Sequence, residues 1–503
     1  LVRLFYYDML SRRERRKMHQ LAAEYYEEET DDLFRAALHY EHAEMCDKAI
    51  EFVTKDLPTL VNQGYSRALR KLLERVTEQQ LSAEWHIPFQ VVRGQIYTFF
   101  RESELARTYF ELALTQLNEL PSTDALPEIS LSTDQLKGRA YYGLADVLVV
   151  EVPSEAVAIL QQGLATFSEK GTFQEAMLLI KMGDVQIGLG YYDEAATALQ
   201  SGLALLSAQP SHLRAVGLLN LGIVSGHQGD YDRQIDLCEE ALTISNQIQS
   251  HFLTTSIEIT LGAIKQDRGD WAGCQIHYQH ALDLAKKVGS KGQITELQLN
   301  LGVLKLSQGE HTVATEMFQS CLQAAQMANQ VEVVVISFAG MIEINLRQGN
   351  LSAAETYLKE AQALVEAQQL RPLEPEIYRG WSVLHRQRND KDAALVAAEK
   401  SLATARDLGD DYEIGVSLRR LGQVHMMTNQ IEVALTNFEE SEVLLEDIAP
   451  YEAAQTQLAW GNALLDHNEC KAGETLRQTA AEIFKSLGAK YDLGLVKAVL
   501  DAD

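Results

Sequence analysis

A pattern with a period of about 40 residues runs through most of this 503-residue chain. A small residue, usually Gly after Leu, recurs every 39 or 40 residues, and Ile or Ser replaces it in two copies. Periods of about 20–50 residues are typical of solenoids, in which each unit packs only on its neighbours. The chain is therefore predicted to form one long array. The anchor positions are Gly183, Gly222, Gly262, Gly302, Ile342, Ser382, Gly422 and Gly461.

The residue seven positions after each anchor is always Gly or Asn. These two residue types most readily adopt the left-handed conformation that ends an α-helix. Each copy is therefore predicted to consist of a helix, a tight turn and a second helix. The predicted turn residues are Gly190, Gly229, Gly269, Gly309, Gly349, Asn389, Asn429 and Asn468.

The second helix of most copies carries small residues seven positions apart, with a larger apolar residue between them. Ala314, Phe318 and Cys321 show this arrangement in one copy. Residues at this spacing lie on one stripe of a helix, and small side chains there allow a partner helix to approach closely. The stripe is predicted to form the core between the helices.

The combination of Leu-Gly, a Gly-Asp turn and paired small residues resembles the tetratricopeptide repeat (TPR) over residues 91–488. The usual unit has about 34 residues, so each copy here is longer, as in kinesin light chains and bacterial signal-transduction ATPases. The resemblance implies an all-α fold, a right-handed superhelical solenoid of about eleven long TPR-like hairpins.

Less regular segments interrupt and border the predicted array. The Pro-, Ser- and Asp-containing stretch 118–135 is predicted to be an insertion loop, since the copies on either side of it are further apart than the others. Residues 30–90 are expected to form irregular N-terminal helical hairpins. Residues 489–503 are expected to form a C-terminal capping helix that closes the array.

Residues 1–29 do not follow the repeat. LVR-x-FYYDML, ERR and YYE, followed by A-x-HY-x-x-A, resemble the junction in signal-transduction ATPases with numerous domains (STAND), such as the maltose-regulon activator. The resemblance implies that 1–29 is the end of a preceding winged-helix or linker region, and that the chain is an excised fragment. It also implies an intramolecular contact with an absent NTPase module. The alternative is a solvated amphipathic helix with opposite charges at its ends.

Composition and missing motifs narrow the possible functions. The net charge of −27 argues against a nucleic-acid partner, and no apolar stretch reaches the roughly 18 residues of a membrane span. Phosphate-binding, zinc-protease and serine-hydrolase motifs do not occur. The two His pairs, His39 with His42 and His277 with His280, lack a third ligand in view. We therefore expect a cytoplasmic binding protein rather than an enzyme, with no cofactor, metal or membrane partner.

One arc of each first helix is predicted to line the concave groove, where solenoids bind partners. The arc contains positions six, three and two before the anchor, and one, four and five after it. Asn220 and Asn300 lie two before their anchors, where the TPR resemblance implies contacts with bound peptide backbone. Later copies place in or beside the arc Arg347, Arg379, Arg386, Arg419, Arg420, Gln423 and Asn462.

The five arginines are predicted to form a local positive patch, because guanidinium groups offer forked donors to carboxylate or phosphate. The alternative is that they are solvated and paired with neighbouring acids. The expected ligand is a protein or peptide segment or a small inducer, of anionic character. Two functions remain open: a sensor domain whose ligand regulates an attached STAND NTPase, or a free-standing TPR scaffold or adaptor.

Overall fold

The computed structural model describes residues 7, 9–30, 32–55, 57–62, 65–100, 102–120, 131–467 and 469–500. The chain divides into two compact units, residues 1–181 (unit 1) and 182–503 (unit 2). The described residues form α-helices and short 3₁₀ turns without a β-strand, which confirms the predicted all-α repeat fold. No helix in these ranges has the length and apolar character needed to cross a membrane.

Unit 1 begins with a helix outside the repeat, α1 (Arg12–Glu28). Its N-terminus is closed by Ser11, whose hydroxyl accepts from the Glu14 N–H while the Glu14 carboxylate accepts from the Ser11 N–H at 2.8 Å. Such a cap contributes about 1 kcal/mol. The irregular helices that follow are α2 (Leu33–His42), α3 (Cys46–Lys55), α4 (Leu57–Asn62) and α5 (Ser66–Arg75).

Two regular hairpins complete unit 1. They are α6 (Ala83–Phe99) with α7 (Ser103–Glu119), and α8 (Thr133–Glu151) with α9 (Pro153–Thr166). The predicted boundary at 90/91 thus falls inside α6. The predicted insertion 118–135 is also too long, because helix covers both of its ends, and its residues 121–130 lie outside the described residues.

Unit 2 contains consecutive helix pairs in the predicted phase. α10 (Phe173–Gly188) holds the last residues of unit 1 and the first of unit 2. The helices that follow are α11 (Tyr192–Ala204), α12 (His212–His227), α13 (Tyr231–Gln247), α14 (His251–Asp267), α15 (Trp271–Val288), α16 (Lys291–Ser307), α17 (His311–Ala328), α18 (Val331–Arg347), α19 (Leu351–Gln368), α20 (Glu374–Gln387), α21 (Lys391–Leu408), α22 (Asp411–Met427), α23 (Ile431–Leu445), α24 (Pro450–Asp466), α25 (Cys470–Leu487) and α26 (Lys490–Leu500).

The turns inside these pairs have the predicted left-handed backbone. All described turn residues have a positive φ, between 60° at Asn389 and 79° at Gly229, while Asn468 lies outside the described residues. A side chain with a branched Cβ would be strained in this conformation, so Gly and Asn are the residues that the turn accepts. The prediction of a helix–turn–helix unit is therefore confirmed.

The small residues of the second helices lie in the core. Phe318 is fully buried between the two helices that carry Gly302 and Gly340, and Ala314 and Cys321 beside it are also fully buried. Where Ser replaces Ala, its hydroxyl donates to a carbonyl of the preceding first helix, as from Ser441 to Gly415 at 2.7 Å. The stripe therefore joins the two helices of each repeat at short range.

Candidate ligand-binding site

The five predicted arginines lie on the first helices of three consecutive repeats, α18, α20 and α22. Two adjoining cavities meet at these helices inside unit 2. Cavity A, of about 230 Å³, is lined by residues that include Asp267, Glu376 and Tyr412. Cavity B, of about 270 Å³, is lined by residues that include Arg386, Gln423 and Asn462. Both cavities share the wall formed by Glu343, Arg347, Val383, Arg419, Arg420 and Gln455.

A row of ion pairs crosses the shared wall. Arg419 donates to the carboxylate of Glu452 at 2.5 Å and to its backbone carbonyl at 2.8 Å, and only 2% of the Arg419 side chain is exposed. Arg379 pairs in the same way with Glu413 of the next first helix. Because each arginine meets a glutamate of the following repeat, the pairs hold successive repeats together along the inner face.

Arg347 occupies the centre of the wall. Its Nε donates to Glu343 at 2.6 Å, its Nη1 lies 3.8 Å from Asp492, and its guanidinium stacks over the Tyr491 ring at 5.0 Å. Burial opposes ionisation of the Glu343 carboxyl, but the charges of Arg347 and Arg420 outweigh it and lower the pKa of Glu343 to about 2. Glu343 is therefore an anion at every physiological pH.

The ion pairs correct the expectation of a plain positive patch. Three of the five arginines, Arg347, Arg379 and Arg419, are neutralised by carboxylates; Arg379 and Arg419 are buried, and 13% of the Arg347 side chain is exposed. Glu413 and Glu452 come from the first helix of the next repeat, Glu343 from α18 itself and Asp492 from α26. The arginine positions alone did not predict this pairing.

Arg386 and Arg420 are different, because neither forms an ion pair with a carboxylate of the described residues. Arg420 Nη1 donates to Gln423 Oε1 at 3.3 Å, and its Nε is buried without a hydrogen-bond partner there. Burial, together with the charge of Arg419, lowers the pKa of Arg420 to about 9, and burial also lowers the pKa of Arg386. Arg420 still carries its charge at neutral pH.

The opposite end of the site carries two carboxyls that the sequence interpretation missed. Asp267 ends α14, and Glu376 lies in the first turn of α20. Both side chains are exposed to cavity A but surrounded by protein, and this burial raises the pKa of each to about 7. Asp267 lies five after its anchor and Glu376 six before, so the arc that identified the arginines also contained these acids.

The remaining predicted site residues divide into two groups. Gln423 and Asn462 line cavity B beside the arginines. Asn220 is buried, with its Nδ2 3.4 Å from Asp184 Oδ1, and neither it nor Asn300 lines cavity A or B. The structure therefore does not bring the two asparagines together with the arginines.

Contacts between distant repeats of unit 2 enclose the cavities. The turn after α12 meets the start of α22, where His227 Nδ1 lies 2.7 Å from Asp410 Oδ2, across 183 positions of sequence. Trp271 packs on Tyr451 with ring centroids 5.7 Å apart. The predicted capping helix α26 also reaches inward, since Tyr491 packs on His311 and lies against Gly309. The concave face is thus partly enclosed by contacts between repeats that are far apart in sequence.

The second His pair has a structural partner. His277 Nδ1 and His280 Nδ1 lie 2.7 and 2.9 Å from the two carboxylate oxygens of Glu258. In the part of the chain that the structure describes, no group of three or more His, Cys, Asp or Glu side chains is arranged to hold a metal ion.

These features define a helical-repeat protein with a partly enclosed, charged interior. Residues 253–327 match the family model of the tetratricopeptide repeat, so the chain contains a TPR domain. No curated protein sequence matches the chain.

Two solved structures share the fold over long stretches. The first is a Rap protein complexed with competence and sporulation factor, with TM-score 0.54 and 12% identity, over 73% of this chain and 99% of that one. The second is the APC/C hetero-tetramer Cut9–Hcn1, with TM-score 0.54 and 13% identity, over 96% of this chain and 93% of that one. At such low identity the likeness establishes the fold alone.

Proposed function

We propose that unit 2 is the ligand-binding part of a sensor, and that it takes the anionic group of its ligand in cavity B. The observation that carries the proposal is the pair Arg386 and Arg420. These arginines are the members of the predicted set that lack a carboxylate partner among the described residues, and both line the same cavity.

The physical argument concerns the free energy of two partly buried cations. A guanidinium removed from water without an anion loses solvation that the protein does not restore. A carboxylate or phosphate between Arg386 and Arg420 would supply charge-assisted hydrogen bonds to both forks, with Gln423 and Asn462 as neutral neighbours. An anion bound there would therefore restore hydrogen bonds that the two guanidinium groups lose with their hydration.

The size of the site favours a small inducer or a short segment of a partner over a large docked surface. Cavities A and B together reach the lower part of the range of about 300–1,000 Å³ that is typical of small-molecule pockets. The structure of a Rap protein complexed with competence and sporulation factor is a precedent for ligand binding by this fold. We propose the same kind of use here, in the cytoplasm.

Regulation is the second part of the proposal. The resemblance of residues 1–29 to the junction of STAND proteins supports a role in which the ligand relieves inhibition of an attached NTPase. A ligand can do this only if it binds the active arrangement more tightly than the resting one. The contacts that enclose the site, such as His227 with Asp410, are the contacts that such a ligand would have to strengthen or release.

A TPR scaffold or adaptor is the second candidate. It is favoured by large apolar side chains exposed on the second helices, including Ile276 at 71% and Met327 at 85%. Translation of the reading frame upstream of Leu1 separates the two candidates. A phosphate-binding loop there favours the sensor, and its absence favours the scaffold.

Anion binding is tested with succinate and inorganic pyrophosphate as probes. Both should raise the thermal midpoint of the wild-type chain, because a ligand specific to the folded state adds stability with concentration, about 2.7 kcal/mol at 100 times Kd. The Arg386→Gln/Arg420→Gln variant should lose this response. The exposed Arg406, on the second helix α21, provides the control, and Arg406→Gln should respond like the wild type. Equal responses of all three proteins would contradict the proposal.

A further inference from the structure

Four charged side chains of cavities A and B remain after the ion pairs are assigned. Arg386 lines cavity B, Asp267 and Glu376 line cavity A, and Arg420 belongs to the wall that both cavities share. Neither carboxyl forms a hydrogen bond or ion pair with the described residues. The interior thus has a cationic end, cavity B with Arg420 in its wall, and an anionic end at cavity A, while the other charges of the wall, on Glu343, Arg347 and Arg419, are paired.

The surroundings of the anionic end disfavour two negative charges. Asp267 stands in the last turn of α14, where the helix dipole disfavours a negative charge. Of the groups that face it, Glu452 and Asp410 are acids, and His227 is already bonded to Asp410. Burial raises the pKa of Asp267 to about 7, and no hydrogen bond or ion pair links this carboxyl to a cation of the described residues.

Glu376 is in a similar position. Burial raises the pKa of Glu376 to about 7. Arg379 lies nearby, but its guanidinium is already paired with Glu413. The further groups that face it, Glu343 and Glu452, are acids. Two carboxyls without their own cation therefore face one cavity from two different helices.

We infer that the ligand of this site is a small zwitterion, with its anionic group between Arg386 and Arg420 and its ammonium group near Asp267 and Glu376. The inference rests on the proposed function, because it accepts cavity B as the anion site and adds the second charge. Val383 lines both cavities and offers an apolar contact to an aliphatic stem between the two charges. A ligand of this kind pairs its anionic group with the arginines and its ammonium group with the two carboxyls.

The test uses aliphatic amino acids whose charges are separated by a known chain. 4-Aminobutyrate, 6-aminohexanoate and 8-aminooctanoate are compared by calorimetry with butanoate, hexanoate and octanoate, which lack the ammonium group. The best zwitterion should bind the wild-type chain about tenfold tighter than the alkanoate of equal length, since a new charge-assisted pair forms at the acidic end.

The advantage of the zwitterion should depend on the two carboxyls. In Asp267→Asn/Glu376→Gln the zwitterion and the alkanoate should bind equally, while the exposed control Glu399→Gln should keep the difference. The advantage should also grow between pH 6 and pH 8, as Asp267 and Glu376 lose their protons, because the amines stay charged throughout. Circular dichroism establishes that each variant is folded.

The results separate the inference from the proposed function. If alkanoates bind through Arg386 and Arg420 but zwitterions bind no better, the zwitterion inference is wrong and the anion site stands. If neither series binds to a folded chain, both are wrong. A tenfold preference that persists in the Asp267→Asn/Glu376→Gln variant also overturns the inference, because the ammonium group then lies elsewhere.

Discussion

Two faces of the repeats in unit 2 are shielded from bulk water, and they are built in opposite ways. The face between the helices of a repeat is apolar, with Phe318 against glycines and fully buried small residues. The inner face is charged, with Arg419 almost fully buried against Glu452. Burial of apolar side chains at the first face stabilises the fold, whereas burial of charges at the second face costs free energy. The first face stabilises the fold, and the second is the face that the proposed function assigns to binding.

The largest expected effect is at the apolar face. Phe318→Ala removes a fully buried ring that contacts the helices of two successive repeats, so the free energy of unfolding should fall by about 3–5 kcal/mol. Urea unfolding followed by circular dichroism measures the loss. The exposed Val396→Ala on α21 is the control and should change little. A loss below about 1 kcal/mol for Phe318→Ala would show that the repeats are not packed as described.

The next effect is at the ion pairs of the inner face. Arg419→Met leaves Glu452 buried without its cation and should cost about 2–3 kcal/mol in urea unfolding. Arg419→Met/Glu452→Gln removes both charges and should recover most of the loss, since a paired interior charge adds little net stability. If the double variant is no more stable than the single one, the pair itself stabilises the fold, and the contrast between the two faces disappears.

A smaller effect concerns the unpaired carboxyls and depends on pH. The unfolded chain loses the protons of Asp267 and Glu376 near pH 4, but the folded chain keeps them until about pH 7. Their stabilising contribution is therefore present below about pH 4, falls as pH rises, and is lost above about pH 7. Because both side chains contact solvent in cavity A, we expect a total of about 1 kcal/mol.

Asp267→Asn/Glu376→Gln tests this sign. The variant should be more stable than the wild type at pH 8 by about that amount, and the difference should shrink towards pH 5. Thermal unfolding at a series of pH values measures it. A variant that is less stable than the wild type at pH 8 would mean that the two carboxyls already have a favourable partner.

The smallest effect is expected on the outer surface. Arg388 pairs with Glu355 at 2.6 Å, with 35% and 28% of the side chains exposed. Arg388→Gln should cost less than about 0.5 kcal/mol, because water solvates both charges. Salt titration of the unfolding midpoint is the check. If Arg388→Gln lowers the free energy of unfolding as much as Arg419→Met does, burial does not explain the larger effect expected at the inner ion pairs.

The sequence predicted the repeat in detail but the site only in part. The turn at Gly229 and the core position of Phe318 depend on contacts within a repeat or between neighbouring repeats. These contacts recur in every copy, so the residues that make them recur every 39 or 40 positions and can be found from the sequence. Several of the predicted arc residues, among them Arg386, Arg420 and Gln423, line cavity B, whereas Arg379, Asn220 and Asn300 do not. The acids that pair with Arg379 and Arg419 were missed, because Glu413 and Glu452 lie outside the arc and reach the arginines from the next repeat.

The sequence alone determined the architecture, because each repeat is a local unit whose turn, helix faces and core stripe are set by residues a few positions apart. The tertiary structure alone decided that the inner face is partly enclosed, since His227 and Asp410 are 183 positions apart and meet only after the rotations of several repeats add up. Small rotations per repeat are not encoded in any motif. They decide which arginines find a carboxylate and which, like Arg386 and Arg420, have no carboxylate partner among the described residues.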